Sequence, residues 1–339
     1  MWKITNEKNK KTLKNFERKV VIPLFKLLLD ACNMNAEGKY NINSSEDIWK
    51  TTTTYKKFPS DQKKIIDYVF RIRKKTNFYD VFFEIVKEYD KEMVLDVIHQ
   101  YRIENYEINI NKNYNVTYNP IPGEFHTIFV TFFYERYFEL KKIWKMVDGI
   151  NVYDRSLFHN NFYKENKIKV CPYCDMSAPL AKASNYIEHF LPKEKFPLLA
   201  MNPYNLISSC DACNSPDDGK GTKIKQNIIT PYNDQIGKYL DFSLRKTGIK
   251  ISNSKSLTEV DNFLDLLNLE KRYKQEKVID FVRDEVKIQL DILITRKYKE
   301  GIPTKKEIET YLLSKDKHSL LNTALTSIVK KHPIYISAK

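Results

Sequence analysis

Four cysteines stand as two pairs, Cys171-Pro-Tyr-Cys174 and Cys210-Asp-Ala-Cys213, with residues 175–209 between them. Thiolates at i and i+3 of a tight knuckle reach one metal, and two knuckles supply the four ligands that structural zinc takes tetrahedrally. Such a site leaves no open position, so the expected Zn2+ holds a scaffold and does no catalysis. The alternative is two unrelated pairs, one of them redox-active. A redox Cys-x-x-Cys needs a strand before it and a helix after it. Pro172 and the Asp-Met-Ser-Ala-Pro stretch after Cys174 suit that poorly. The fifth cysteine, Cys32, lies in the apolar run LLLDACNM and reads as a small core residue. Between the knuckles come Glu188 and His189, and Asn214 directly follows the last cysteine. A histidine titrates near neutral pH and can take a proton from water. A carboxylate and an amide are the hard oxygen donors that Mg2+ accepts, and this cation keeps several waters, so two protein ligands suffice. Together these groups match the needs of phosphodiester hydrolysis: an activated water and a counter-charge for the developing anion. The bland readings are a packed strand histidine for His189, a solvated carboxylate for Glu188 and a turn residue after Pro203 for Asn205.

The order Glu188-His189, Pro192-Lys193, Asn205-Leu206, Cys210-Asp-Ala-Cys213-Asn214 and Lys220-Gly221 resembles the HNH, or ββα-metal, endonuclease family. Many of its members also carry two Cys-x-x-Cys knuckles. The match runs over about residues 171–235. The resemblance implies His189 as general base, and Glu188 and Asn214 as ligands of a catalytic Mg2+ or Mn2+. It implies Asn205 as the residue holding the loop that orients His189, with Lys193 and Lys220 as phosphate contacts. DNA is the implied substrate, with RNA open. Two features depart from the pattern. Neighbouring residues of a regular strand face opposite sides, so Glu188 and His189 serve one site only if the strand bends or ends there, as Pro192 favours. Residues 215–219 also separate Asn214 from Lys220, and Gly219 and Gly221 weaken any helix that follows. Asp217 or Asp218 could then join or replace Asn214. Free HNH nucleases with large helical flanks resemble those of bacterial anti-phage systems, such as the nuclease partner of an ATPase in Septu-type systems. That analogy implies a regulatory partner protein.

The elements that must position these residues follow from patterning. Residues 185–191 read as a strand that Pro192 ends, residues 205–209 as a second strand, and a short or delayed helix follows Cys213. Residues 1 to about 150 read as a helical domain for substrate or partner binding. Pro23 should kink or break its first helix. An apolar stripe starts at Ser60, a helix is expected over 78–101, a loop or hairpin over 104–123, and a central aromatic helix over 125–147. His99 and His126 sit singly in apolar patterns and read as boundary residues. Helix starts are signalled at 44–47, at Ser256-Leu-Thr-Glu259 and at Thr304-x-x-Glu307, a stop at 301–303, and a hairpin around Thr247-Gly248. The expected class is α+β: a small zinc-bound ββα-metal core over 165–235, between a helical region 1–150 and a mainly helical region 236–339.

Lys and Arg number 57 against 43 Asp and Glu, a net charge of +14. That balance suits a polyanionic partner. No apolar run approaches the length of a membrane span, and the N-terminus lacks a signal-peptide pattern. A cytoplasmic protein with no membrane partner is therefore expected, most simply a DNA endonuclease. The alternative is a zinc-stabilised nucleic-acid- or protein-binding module without catalysis. No helix-turn-helix or other sequence-reading motif is visible.

Overall fold

A computed structural model describes residues 1–39, 48–72, 77–149, 153–177, 185–245, 247–299, 304–315 and 317–338. These residues are rich in helix and carry two two-stranded sheets, an α+β composition. They form two compact units with interleaved segments. The cysteine unit comprises Met1–Thr5, Tyr163–Glu188 and Ile207–Lys339. The helical unit comprises Asn6–Phe162 and His189–Leu206.

In the helical unit, the helix Glu7–Phe16 widens into a π-helical turn, Glu17–Val21, before the helix Ile22–Ala36. Pro23 is the second residue after this π-helical turn, and the helical path runs through it without a break. The helix Ser60–Arg71 follows as expected. The single helix expected over 78–101 is instead two, Phe78–Glu88 and Lys91–Tyr106. Tyr89 is extended, and the Asp90 carboxylate accepts the Met93 N–H at 2.8 Å, a new N-cap. The second helix runs on through a π-helical turn, Glu107–Asn111, and ends at a left-handed Lys112. No strand forms in the region where a hairpin was an option.

The aromatic stretch 125–147 is not one helix. It comprises Gly123–His126, a π-helix Thr127–Arg136, a tight turn Tyr137–Glu139 and the helix Lys141–Asp148, bent at an extended Leu140. Bulky rings on every side of the segment account for its placement. Phe129, Phe132 and Phe133 meet Phe25, Phe78 and Phe16 at centroid distances of 5.9, 5.1 and 5.4 Å. The last two pairs are edge-to-face, a geometry that adds to the burial of their area.

Strands β1 (Asn185–His189) and β2 (Leu206–Cys210) pair, with all but His189 and Leu206 in the cysteine unit, where β3 (Leu240–Arg245) also pairs antiparallel with β4 (Gly248–Asn253). The β3–β4 register runs from Leu240 opposite Asn253 to Arg245 opposite Gly248, whose φ of +138° favours glycine. The helix Asn322–Lys330 packs on β3, where Ser327 Oγ accepts the Phe242 N–H at 3.0 Å. The capping box expected at Ser256 does not form: Ser256 is left-handed, and the helix Thr258–Leu266 starts with no side-chain cap. The one expected at Thr304 and Glu307 does form, ahead of Lys305–Ser314. The signals at 44–47 and 301–303 lie outside the described residues. No helix among the described residues is long and apolar enough to cross a membrane.

Candidate functional site

The first knuckle is a turn closed by Asp175 N–H on the Cys171 carbonyl at 3.0 Å, with Asp175 in the left-handed region. The second begins at the last residue of β2 and wraps one helical turn, Asp211–Asn214. The four sulfur atoms lie within 4.8 Å of one another, all buried. Cys171 and Cys213 are 3.9 Å apart, and Cys174 and Cys210 are 3.7 Å apart. A disulfide needs about 2.05 Å. Tetrahedral zinc with Zn–S bonds of about 2.3 Å sets sulfurs about 3.8 Å apart. The donor set therefore fits a metal ion such as zinc.

The electrostatics agree. Hydrogen bonds from neighbouring thiols, Cys171 foremost, hold Cys174 and Cys210 below the usual thiol range. Burial pushes Cys171 and Cys213 well above it. Four thiols in one dry site cannot all ionise without a cation among them. Backbone N–H groups of Met176 and Cys210 reach Cys174 Sγ and Cys171 Sγ at 3.4 and 3.5 Å. Arg272, 4% exposed, donates to Cys213 Sγ at 3.1 Å. Tyr273 donates to the Cys174 carbonyl at 3.0 Å, and Trp2 to the Asp175 carboxylate at 3.0 Å. Arg272 was not visible as a site residue from sequence. It lies far along the chain in a short helix, Leu269–Arg272, and no spacing links it to the cysteines.

Past the second knuckle the chain folds back. Ser215 is extended and ends the helical turn at four residues. Gly219 N–H donates to the Ser215 carbonyl and Lys220 N–H to the Cys213 carbonyl, both at 3.0 Å. A Cβ on Gly219 would stand 2.4 Å from the carbonyl oxygens of Ala212 and Cys213, so only glycine fits. Gly221 has a φ of +50°. This loop returns Lys220 to β1, where its ammonium lies 2.7 Å from Glu188 Oε1, with side-chain exposures of 1% and 5%. It also donates to the Gly221 carbonyl at 2.8 Å. Lys220, read from sequence as a phosphate contact, is thus buried on a carboxylate. Asn214 is half-buried, while Asp217 and Asp218 are exposed.

In the helical unit, His189 ends β1 and is 6% exposed. Its Nε2 is 3.0 Å from the Ala200 carbonyl. A carbonyl only accepts, so this contact puts the proton on Nε2, and the neutral ring then carries its lone pair on Nδ1. The Tyr134 ring meets the imidazole edge-on at 4.4 Å, a contact the sequence did not announce. Asn205 is fully buried. Its amide oxygen accepts the Leu191 N–H at 2.7 Å, and its amide nitrogen donates to the carbonyls of Leu191 and Leu199 at 2.9 and 3.3 Å. It clasps a loop whose next residue, Ala200, accepts the His189 Nε2–H through its carbonyl. Lys193 lies 3.2 Å from Glu135 and 3.0 Å from Glu194.

No family model matches the chain, and no solved structure matches it. Septu protein PtuB of Bacillus thuringiensis is 41% identical to it over 63 residues, which are 18% of this chain and 23% of that protein. The chain thus spans under a quarter of that relative's length.

Proposed function

We propose that this chain is an HNH-type endonuclease that hydrolyses phosphodiester bonds of DNA, acting in anti-phage defence together with a regulatory partner such as an ATPase. The observation that carries the reading is the pinned imidazole. With Nε2–H donated to the Ala200 carbonyl, the ring is oriented and the base role we assign to His189 falls to Nδ1. Asn205 keeps that carbonyl's loop in place through three hydrogen bonds. Glu188 and Asn214 are the proposed ligands of Mg2+ or Mn2+; when bound, such a cation would offset charge on the scissile phosphate and the leaving oxygen. The four cysteines would hold structural zinc, and the net charge of +14 would draw a polyanion. The stretch of likeness to a Septu protein supports the defence setting.

A second reading has an observation of its own. Glu188 is already paired with Lys220, which suits a zinc-stabilised binding module that needs no catalytic cation. A cleavage assay separates the two. Plasmid, single-stranded DNA and RNA would be incubated with zinc-loaded protein and Mg2+ or Mn2+, with and without a candidate partner. His189→Ala should abolish cutting and leave zinc content and DNA binding unchanged. Equal behaviour of wild type and His189→Ala would leave the binding module standing and remove the nuclease.

A further inference from the structure

The Lys220–Glu188 pair lies apart from ordinary surface ion pairs. Both side chains are almost wholly buried, in contrast to the other ion pairs of the cysteine unit among the described residues, which are well exposed. Removing two charges from water costs several kcal/mol each, on the order of what their attraction returns. Such a pair is therefore weak support for folding. The structure nevertheless spends a specialised loop on it. Gly219 and Gly221 flank Lys220, one required by contact with carbonyls of the second knuckle and the other by its left-handed backbone. The Lys220 N–H is tied to the carbonyl of Cys213, itself a member of the sulfur cluster. The backbone of Lys220 is thus fixed to the cysteine frame, and its ammonium is joined to that fixed point by four methylenes with rotatable bonds.

We propose that Lys220 is a resident cation on Glu188, and that a divalent metal reaches this carboxylate only by displacing the ammonium. This rests on the reading of Glu188 as a metal ligand. The carboxylate is held dry against a side chain of opposite charge, and the site stays shut until the lysine leaves. Exchange conserves charge pairing: the carboxylate passes from an ammonium to a metal, and the ammonium passes to water or to a phosphate of the substrate. The apparent affinity for the metal is lowered by the fraction of time that the lysine holds the site.

The test uses the full zinc-loaded chain and Mn2+ alone, with no nucleic acid. Brief acylation of lysines followed by peptide mass spectrometry should find Lys220 protected and the exposed Lys223 reactive. Mn2+ should raise Lys220 labelling by about tenfold or more, and Glu188→Gln should cancel that rise. Lys220→Met should bind Mn2+ about tenfold tighter than wild type, followed by the loss of the free-ion paramagnetic resonance signal. The labelling arm does not use Lys220→Met, and its rise with Mn2+ is read on wild type, so a poorly folded Lys220→Met does not block the test. If Mn2+ binds and Lys220 stays protected, the displacement is overturned, while the His189→Ala assay still decides the nuclease reading. If neither wild type nor Lys220→Met binds Mn2+, this inference falls together with the metal role of Glu188.

Discussion

Asn205 and Glu104 show opposite uses of a buried polar side chain in the helical unit. Asn205 makes three hydrogen bonds with its amide, which offset its desolvation and fix a loop. Its place beside Pro203 was legible as a turn in the sequence, but the clasp was not, because the partners Leu191 and Leu199 are defined only by the returning chain. Glu104 is 3% exposed; among the described residues its Oε1 accepts from Gln100 at 2.8 Å and its Oε2 has no partner. Burial pushes its carboxyl up to about 7. The unfolded chain ionises this group near pH ~4.3. Between these values the folded chain keeps a proton that the unfolded chain has lost, so stability falls as pH rises through the window and levels off above it. Glu104→Gln removes that loss and keeps an acceptor for Gln100. Above pH 7 the variant should be more stable than wild type by about 1–3 kcal/mol, and the two should converge near pH 4. Urea midpoints at pH 4, 6 and 8 read this directly. Parallel curves at all three would show that Glu104 is solvated or paired.

Elements built from local chemistry were the readable part of the chain. The strand pair around the Glu188-His189 dipeptide, the β3–β4 hairpin and the Thr304 capping box each follow from patterns a few residues long. Failures occurred where one residue outvoted a run. Asp90 caps a new helix inside a continuous apolar stripe, and π-helical turns insert residues that no 3.6-residue period accommodates. Residues 215–219 looked from sequence like an interruption of the metal-binding helix. In the structure they are a return loop whose end is set by Gly219. Gly219→Ala should therefore be far worse than a propensity effect, because its methyl would overlap two carbonyl oxygens. We expect a loss of about 2 kcal/mol or more in thermal or urea denaturation, against less than about 0.5 kcal/mol for the exposed Asp218→Ala. Comparable stability of the two variants would mean that the loop does not approach the knuckle this closely.

At the scale of the whole molecule, the sulfur cluster is the point on which distant segments of the cysteine unit converge. Cys171 and Cys174 come from one segment and Cys210 and Cys213 from another, and Arg272 and Tyr273 reach the knuckles from a third. Met1–Thr5 joins the same unit: Ile4 N–H bonds the Pro231 carbonyl at 3.0 Å, and the Trp2 indole bonds Asp175 beside the first knuckle. The cysteine spacing made the cluster legible, whereas the convergence was not, since each of these bonds spans many residues. The cluster brings four buried thiols within 4.8 Å of one another, so zinc binding should contribute a large part of this unit's stability, on the order of 10 kcal/mol by comparison with structural zinc sites. Purified chain should carry one zinc per molecule. Trp49 and Trp144 lie in the helical unit, so a Trp49→Phe, Trp144→Phe chain leaves Trp2 as the sole indole reporter of the cysteine unit. Chelation should move its emission from that of a buried indole to that of a wet one, and added Zn2+ should restore it. Arg272→Met should speed zinc loss to a fixed chelator, because the guanidinium beside Cys213 then no longer offsets the negative thiolate set. Unchanged Trp2 emission after full zinc removal would show that the thiols pack without metal. The frame would then owe its shape to the hydrogen bonds of Asp175, Arg272 and Tyr273.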